Sequence, residues 1–135
     1  MAQQISYSTT IRNNRLTQIL NAIDAGAGAG LLRIYDGTRP SNGGTATTKL
    51  AEHTMSKPSF TVSGGVATAA AIGAATGLAA GTAAWARLVD STGAFCSDMN
   101  VGTSGSDINV NTTTYSVGVS CTISSMTITE GNNYP

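Results

Sequence analysis

The sequence predicts a mainly β chain, a β-sandwich of jelly-roll or immunoglobulin-like type with one N-terminal α-helix. Leu31–Tyr35 is a short apolar run bounded by glycines, too short for a helix and rich in good strand formers. Phe60–Thr68 places alternating residues around Ser63-Gly64-Gly65, the pattern of a tight hairpin. The tail alternates with period two: Val117, Val119, Cys121 and Ile123 share one parity, and Met126 and Ile128 take the other. Two parts are expected, an arm and helix with a glycine hinge over residues 1–29 and the sandwich over residues 30–135.

Met1–Thr10 is polar and short of anchors, so it reads as an arm that a partner would order. Ser8-Thr9-Thr10 supplies N-cap side chains. Leu16, Ile19, Leu20 and Ile23 then form a stripe along one helical face, with Arg12, Asn13, Arg15 and Asn21 largely outside it. Alternating glycines from Gly26 to Gly30 end the helix and supply a hinge, so the stripe can dock on its own sheet or on a neighbouring subunit. On the second reading Tyr7, Arg12, Arg15, Leu16, Ile19, Leu20 and Ile23 are candidate partner contacts.

Leu31–Tyr35 is expected to be a central strand, closed by the Asp36-Gly37 turn and by Arg39-Pro40. Ser41–Thr48 reads as a loop. Leu50–Met55 is the next strand, ended by Pro58. No charge occurs between Lys57 and Arg87, and Gly73, Gly77 and Gly81 recur there at every fourth position. That spacing formally matches a membrane-helix packing face. Pro58, several Ser and Thr, and the scarcity of side chains larger than Ala favour instead two Ala-rich strands joined by a Gly73–Gly81 loop. Trp85–Val89 is a strand inside a two-layer fold, turned at Ser91-Thr92-Gly93 and followed by a return strand over Ala94–Val101. A second loop covers Gly102–Ser106. The parity change at Ser124-Ser125 predicts a bulge or bend, as a strand passing between two sheets requires.

Composition narrows the function. Charged residues are 10% of the 135, against about 25% for an ordinary domain. With formal net charge +0 the chain has no basic footprint for nucleic acid and no acidic tail. Two Phe and one Trp leave few bulky side chains among many Ala, Ser, Thr and Gly. Such a surface suits a protein that works packed against copies of itself or a partner. The N-terminal stretch has no basic region followed by an apolar core, so no secretory signal is expected.

The search for chemistry is mostly negative. His53 sits beside Glu52 in a strand-like run and reads as a surface or half-buried imidazole. No Ser occupies a Gly-x-Ser-x-Gly frame, and neither cysteine neighbours a His. Gly26, Gly28 and Gly30 close a helix where a dinucleotide fingerprint would open one. Asp107, Asn109 and Asn111 begin like a calcium loop, but Thr112 and Gly118 stand where Gly and Glu are needed. The plain reading there is a strand with Ile108 and Val110 turned inward. Asn111-Thr112-Thr113 matches a glycosylation acceptor, which carries no weight without a secretory signal. Cys96 and Cys121 are read as small buried hydrophobes, as a bridge with each other, or as interchain thiols. No cofactor, metal, nucleic acid or membrane is expected, and no enzymatic activity.

Gly30–Pro40 (GLLRIYDGTRP), Ser63–Ile72 (SGGVATAAAI), Gly81–Asp90 (GTAAWARLVD), Val101–Thr114 and Met126–Asn132, in that order, resemble a family of small proteins encoded among the virion genes of tailed bacteriophages. The resemblance runs over nearly the whole chain, including the helix before the hinge. It implies a virion structural protein assembled in the bacterial host cytoplasm, and head decoration (cement) is the placement it favours. The implied partners are the phage major capsid protein or other virion proteins, with further copies of the chain as a homo-oligomer. Cys96 and Cys121 depart from the family pattern. Two alternatives remain: a neck, tail or fibre-associated component, and a carbohydrate-binding sandwich whose exposed aromatics would be Tyr7, Tyr115 and Tyr134.

Overall fold

A computed structural model of the chain describes residues 4–130. Its helix, α1 (Thr9–Ile23), begins where the Ser8 hydroxyl accepts from the Ile11 N–H at 3.3 Å. It ends at Asp24, whose N–H donates to the Leu20 carbonyl at 3.0 Å. The Asp24 carboxylate accepts from the Ser59 N–H at 3.0 Å, tying the end of the helix to the β domain. Leu16 and Ile23 are fully buried in the main core, and Ile19 and Leu20 pack against it. The apolar stripe has therefore docked on its own domain. Leu16 and Ile23 are core residues rather than partner contacts, because their own sheet covers them. The glycine hinge is held as well: Lys57 Nζ donates to the Gly26 carbonyl, and the Gly28 N–H donates to Ser91 Oγ at 3.3 Å.

Twelve strands follow: β1 (Leu31–Tyr35), β2 (Lys49–Thr54), β3 (Phe60–Ser63), β4 (Val66–Ala69), β5 (Ala75–Thr76), β6 (Gly81–Thr82), β7 (Trp85–Val89), β8 (Phe95–Gly102), β9 (Ile108–Val110), β10 (Thr114–Tyr115), β11 (Ser120–Cys121) and β12 (Ile123–Thr129). Eight of them form one curled sheet in the order β2-β1-β7-β8-β9-β12-β4-β3. Two-stranded pairs β10-β6 and β11-β5 complete the molecule. The sheet is antiparallel except where β8 and β9 run parallel. Where two facing layers were expected, hydrogen bonds join eight of the strands into one curled sheet.

β1 and β7 occupy the residues expected of them. β1 lies second in the order, flanked by β2 and β7. The β3–β4 hairpin turns at Gly64 and Gly65, with φ of 60° and 77°, a backbone state that other residues adopt only under strain. Ile108 and Val110 point inward as their alternation requires. The expected Ala-rich hairpin does not form. The Ala-rich stretches flanking Gly73–Gly81 do not pair with each other: β4 pairs with β3 and β12 and β6 with β10, while β5 forms inside the expected loop and pairs with β11.

The tail changes partners as its parity flip predicts. β11 pairs with β5, β12 pairs with β9 and β4, and the register shifts between Ile123 and Ser125. Cys121 and Met126 are buried on either side of the shift. Val117 and Val119, expected to point inward, are 71% and 50% exposed because a turn closed by Val119 N–H donating to Ser116 O precedes β11.

Candidate functional site

The densest polar arrangement lies on the face of β1, β2, β7 and β8 opposite the main core. Register places Glu52, Arg33, Arg87 and Asp98 in one row across the four strands. Directly opposed arginines repel, so each must be neutralised from its other side. Arg33 Nε donates to Glu52 at 2.8 Å, and Arg87 Nε and one terminal N–H group of its fork donate to the two oxygens of Asp98 at 2.8 and 3.0 Å. Burial pushes the Glu52 carboxyl up, but the hydrogen bonds from Arg33 and Lys49 outweigh it and hold it below its ordinary 4.5. The Arg87 guanidinium lies 5.2 Å from the Trp85 ring and 5.1 Å from that of Phe95. Trp85 stacks in turn on Tyr35, with centroids 4.4 Å apart.

The loop after β1 covers this ladder. Trp85 Nε1 donates to the Asp36 carbonyl at 2.9 Å and to Thr47 Oγ1 at 3.1 Å, and Arg87 donates to the Gly44 carbonyl at 2.9 Å. A shallow cavity of about 390 Å³ beside it is lined by Arg39, Asn42, Phe95, Cys96 and Asp98 among others. Both oxygens of Asp98 are taken up by Arg87, and Glu52 Oε2 by Arg33 and Lys49. The row positions a loop and rigidifies four strands.

The remaining charges are committed in the same way. Arg12 Nε donates to the Glu130 carbonyl at 2.8 Å, and Arg15 pairs with the Glu130 carboxylate at 2.9 Å. Asp36 accepts from the Thr48 N–H, Asp107 from Asn100, and Asp90 from Thr92 and Ala94. Arg39 reaches the Asp98 carbonyl. All seven basic and seven acidic side chains thus have a partner inside the chain. Among the described residues no three His, Cys, Asp or Glu gather where they could hold a metal ion. No described helix is long and apolar enough to cross a membrane.

The residues singled out from sequence scatter over the fold. Tyr7 is 38% exposed with Arg15 over its ring at 5.0 Å, which ties the described part of the arm to the helix. Arg12 and Arg15 hold Glu130 of their own chain, and Ile19 faces a groove of about 360 Å³ shared with Met99, Asp107 and Ile128. Cys96 in β8 is half-buried, Cys121 in β11 is buried, and both are free, so no bridge joins them. Burial raises both thiols above their ordinary 9.0, which leaves them protonated and sluggish.

Two expectations are corrected outright. His53 is fully buried rather than at the surface or half-buried: its Nδ1–H donates to the Gly73 carbonyl at 2.8 Å, while Nε2 has no partner among the described residues. Burial drives its pKa below 6.5, keeping the ring neutral. Tyr115, expected as an exposed aromatic, is 1% exposed, and burial pushes its hydroxyl up to about 12. Tyr134 lies outside the described residues. Exposed Phe95 carries Arg87 over its ring and Gly43 packed against it, so no open aromatic platform of the kind that stacks on sugars is formed there.

The exposed apolar residues missed from sequence lie on the turns around β5 and β11. Leu78, Val117 and Val119 are exposed and brought together by backbone bonds, Gly77 N–H to Val119 O at 2.8 Å and Gly118 N–H to Gly77 O at 3.0 Å. A signal was present: a second uncharged stretch runs from Asp107 to Glu130. No family model matches the chain, and neither a curated protein nor a solved structure matches it.

Proposed function

We propose that the chain is a structural subunit of a tailed-bacteriophage virion, a decoration (cement) protein that binds the major capsid protein and copies of itself. The observation that carries this reading is the commitment of every charged side chain to an internal partner, which leaves a neutral surface of small polar and aliphatic groups. Such a surface has the means to pack and none of the free acid–base pairs that catalysis needs. The motif order from Gly30 to Asn132 supplies the virion context. The mechanism is passive: each copy buries a modest area across neighbouring shell subunits, and repetition over the lattice makes weak contacts cumulative. The two ends of the curled sheet contribute Leu50 and Phe60 to one core, which supports reading it as a sandwich continuous along one side.

Quantitative mass spectrometry of purified virions tests the placement. Decoration requires hundreds of copies per particle, and deletion of the gene should leave heads that burst at lower temperature or lower salt. A copy number of a few to a few dozen would move the chain to the neck, tail or fibre. Its absence from particles would overturn the reading.

A further inference from the structure

β2 is an edge strand of the eight-stranded sheet, paired with β1 on one side only. The Met55 N–H donates to the Gly30 carbonyl, so alternation turns the backbone groups of His53 toward β1 and those of Glu52 and Thr54 outward. The segment 73–78 lies along that outer side. The Gly73 N–H donates to the Thr54 carbonyl at 3.0 Å, and the Leu78 N–H to the Leu50 carbonyl at 2.8 Å. A third link comes from the buried side chain of His53, whose Nδ1–H donates to the Gly73 carbonyl at 2.8 Å. Apolar contact adds little to these bonds. Gly73, Ala74, Thr76 and Leu78 are exposed, and no side chain of residues 73–78 is among the buried hydrophobic groups of the core.

We infer that His53 is an acid-operated latch: binding of one proton releases the 73–78 segment from the edge of β2 while the rest of the domain stays folded. In a neutral imidazole one nitrogen carries the hydrogen and the other a lone pair. Nδ1 commits its hydrogen to Gly73, so an added proton goes to Nε2, which is buried and has no partner among the described residues. The resulting cation has no counter-charge in reach. On β2 itself Glu52 is taken by Lys49 and Arg33, and register puts it on the opposite face. On β1, Leu32 stands opposite His53, and Arg33 is engaged by Glu52. The covering segment carries no charge, nor does any other residue from 58 to 86. β11 and β10, paired with β5 and β6, bring Cys121 and Tyr115 into the core, and burial holds both protonated. At the margins, Lys57 is bound to the Gly26 carbonyl, and Asp36, beside Gly81, accepts from Thr48. A buried charge without a partner must be hydrated. Because His53 stands on the edge strand, opening the segment brings water to the ring at the cost of two backbone bonds and little apolar contact. The same opening bares the outward backbone groups of β2, leaving an uncovered sheet edge.

The latch is tested on the full chain alone, so it stands or falls separately from the virion reading. His53 is the only histidine, and its imidazole signal in a nuclear magnetic resonance titration therefore reports this ring. Glu52 titrates below 4.5, which leaves the window between 6.5 and that value to His53. Across the window, amide hydrogen exchange is measured and corrected for its intrinsic pH dependence. Protection of the Gly73 and Leu78 amides should fall with the midpoint of the imidazole titration, by about tenfold per pH unit below it, because one proton is bound. The β7 amides, in a strand bonded on both sides, should keep their protection. His53→Asn, which retains a donor for the Gly73 carbonyl and cannot titrate, should abolish the pH dependence. A ring that titrates while the segment stays protected overturns the inference, as does a ring that stays neutral throughout the window. So does protection lost from β7 together with the segment, or a pH dependence that survives His53→Asn. Should that variant fail to fold, the two wild-type midpoints decide alone: different values overturn the latch.

Discussion

On the outer face of β7, Trp85 is held between Tyr35 and Arg87, with a loop bonded across it. At the β5–β11 end there is no ion pair and no stacked ring among the described residues, only two-residue strands, small side chains and backbone bonds. The first region satisfies its polar groups internally and buries Tyr35 and Trp85. The second leaves Leu78, Val117 and Val119 in solvent. The difference teaches that a chain poor in charge can concentrate it where the fold needs rigidity and leave other turns to backbone bonds alone. Stability is expected to reside in the first region.

The largest test of that division is Trp85→Ala. Removing a 1% exposed indole that also carries the loop should cost about 3–5 kcal/mol in urea unfolding. Leu78→Ala, in the second region, should change stability by less than about 0.5 kcal/mol. Equal losses would abolish the contrast. Asp98→Ala comes next: it leaves Arg87 one of its three hydrogen bonds in a site where the two side chains are 12% and 8% exposed. The expected loss is about 2–3 kcal/mol, because the Gly44 carbonyl and two rings still engage the guanidinium.

The uncharged end has one point of rigidity, and Gly77→Ala probes it. A Cβ there would lie 2.0 Å from the Ser116 carbonyl, so the turn must shift, at about 1–3 kcal/mol.

Acidification separates contributions by pH. A neutral buried His53 binds its proton more weakly in the folded than in the unfolded chain, so stability is full above 6.5 and declines as pH falls below it. Glu52, held below 4.5 by Arg33 and Lys49, adds a second decline beneath that value. Denaturant midpoints measured across this range should show both limbs, and His53→Leu should remove the upper one. The smallest effect is expected from Arg15→Ala. Its partner Glu130 is 19% exposed but Arg15 itself is 49% exposed, so the loss should stay below about 1 kcal/mol.

Much of the fold was legible locally. Ser8 and the Leu16–Ile23 stripe announce α1, glycine boundaries announce β1, and Gly64-Gly65 announces a hairpin. The parity change at Ser124-Ser125 announces the bulge. These are signals of chain geometry, which a few neighbouring residues suffice to impose. The candidate surface was only half legible: the Lys57–Arg87 gap stood out, but nothing local places it beside the gap from Asp107 to Glu130.

By itself, then, the sequence determined the helix, the long strands, the turns and the shortage of charge, because periodicity and turn chemistry act within a few residues. Tertiary structure alone decided that His53 and Tyr115 are buried, that Val117 and Val119 are not, and that Arg33 and Arg87 share one row. It also decided that β5 and β6 find partners far along the chain. Alternation says which residues share a face, but whether that face meets water depends on what distant segments lay across it.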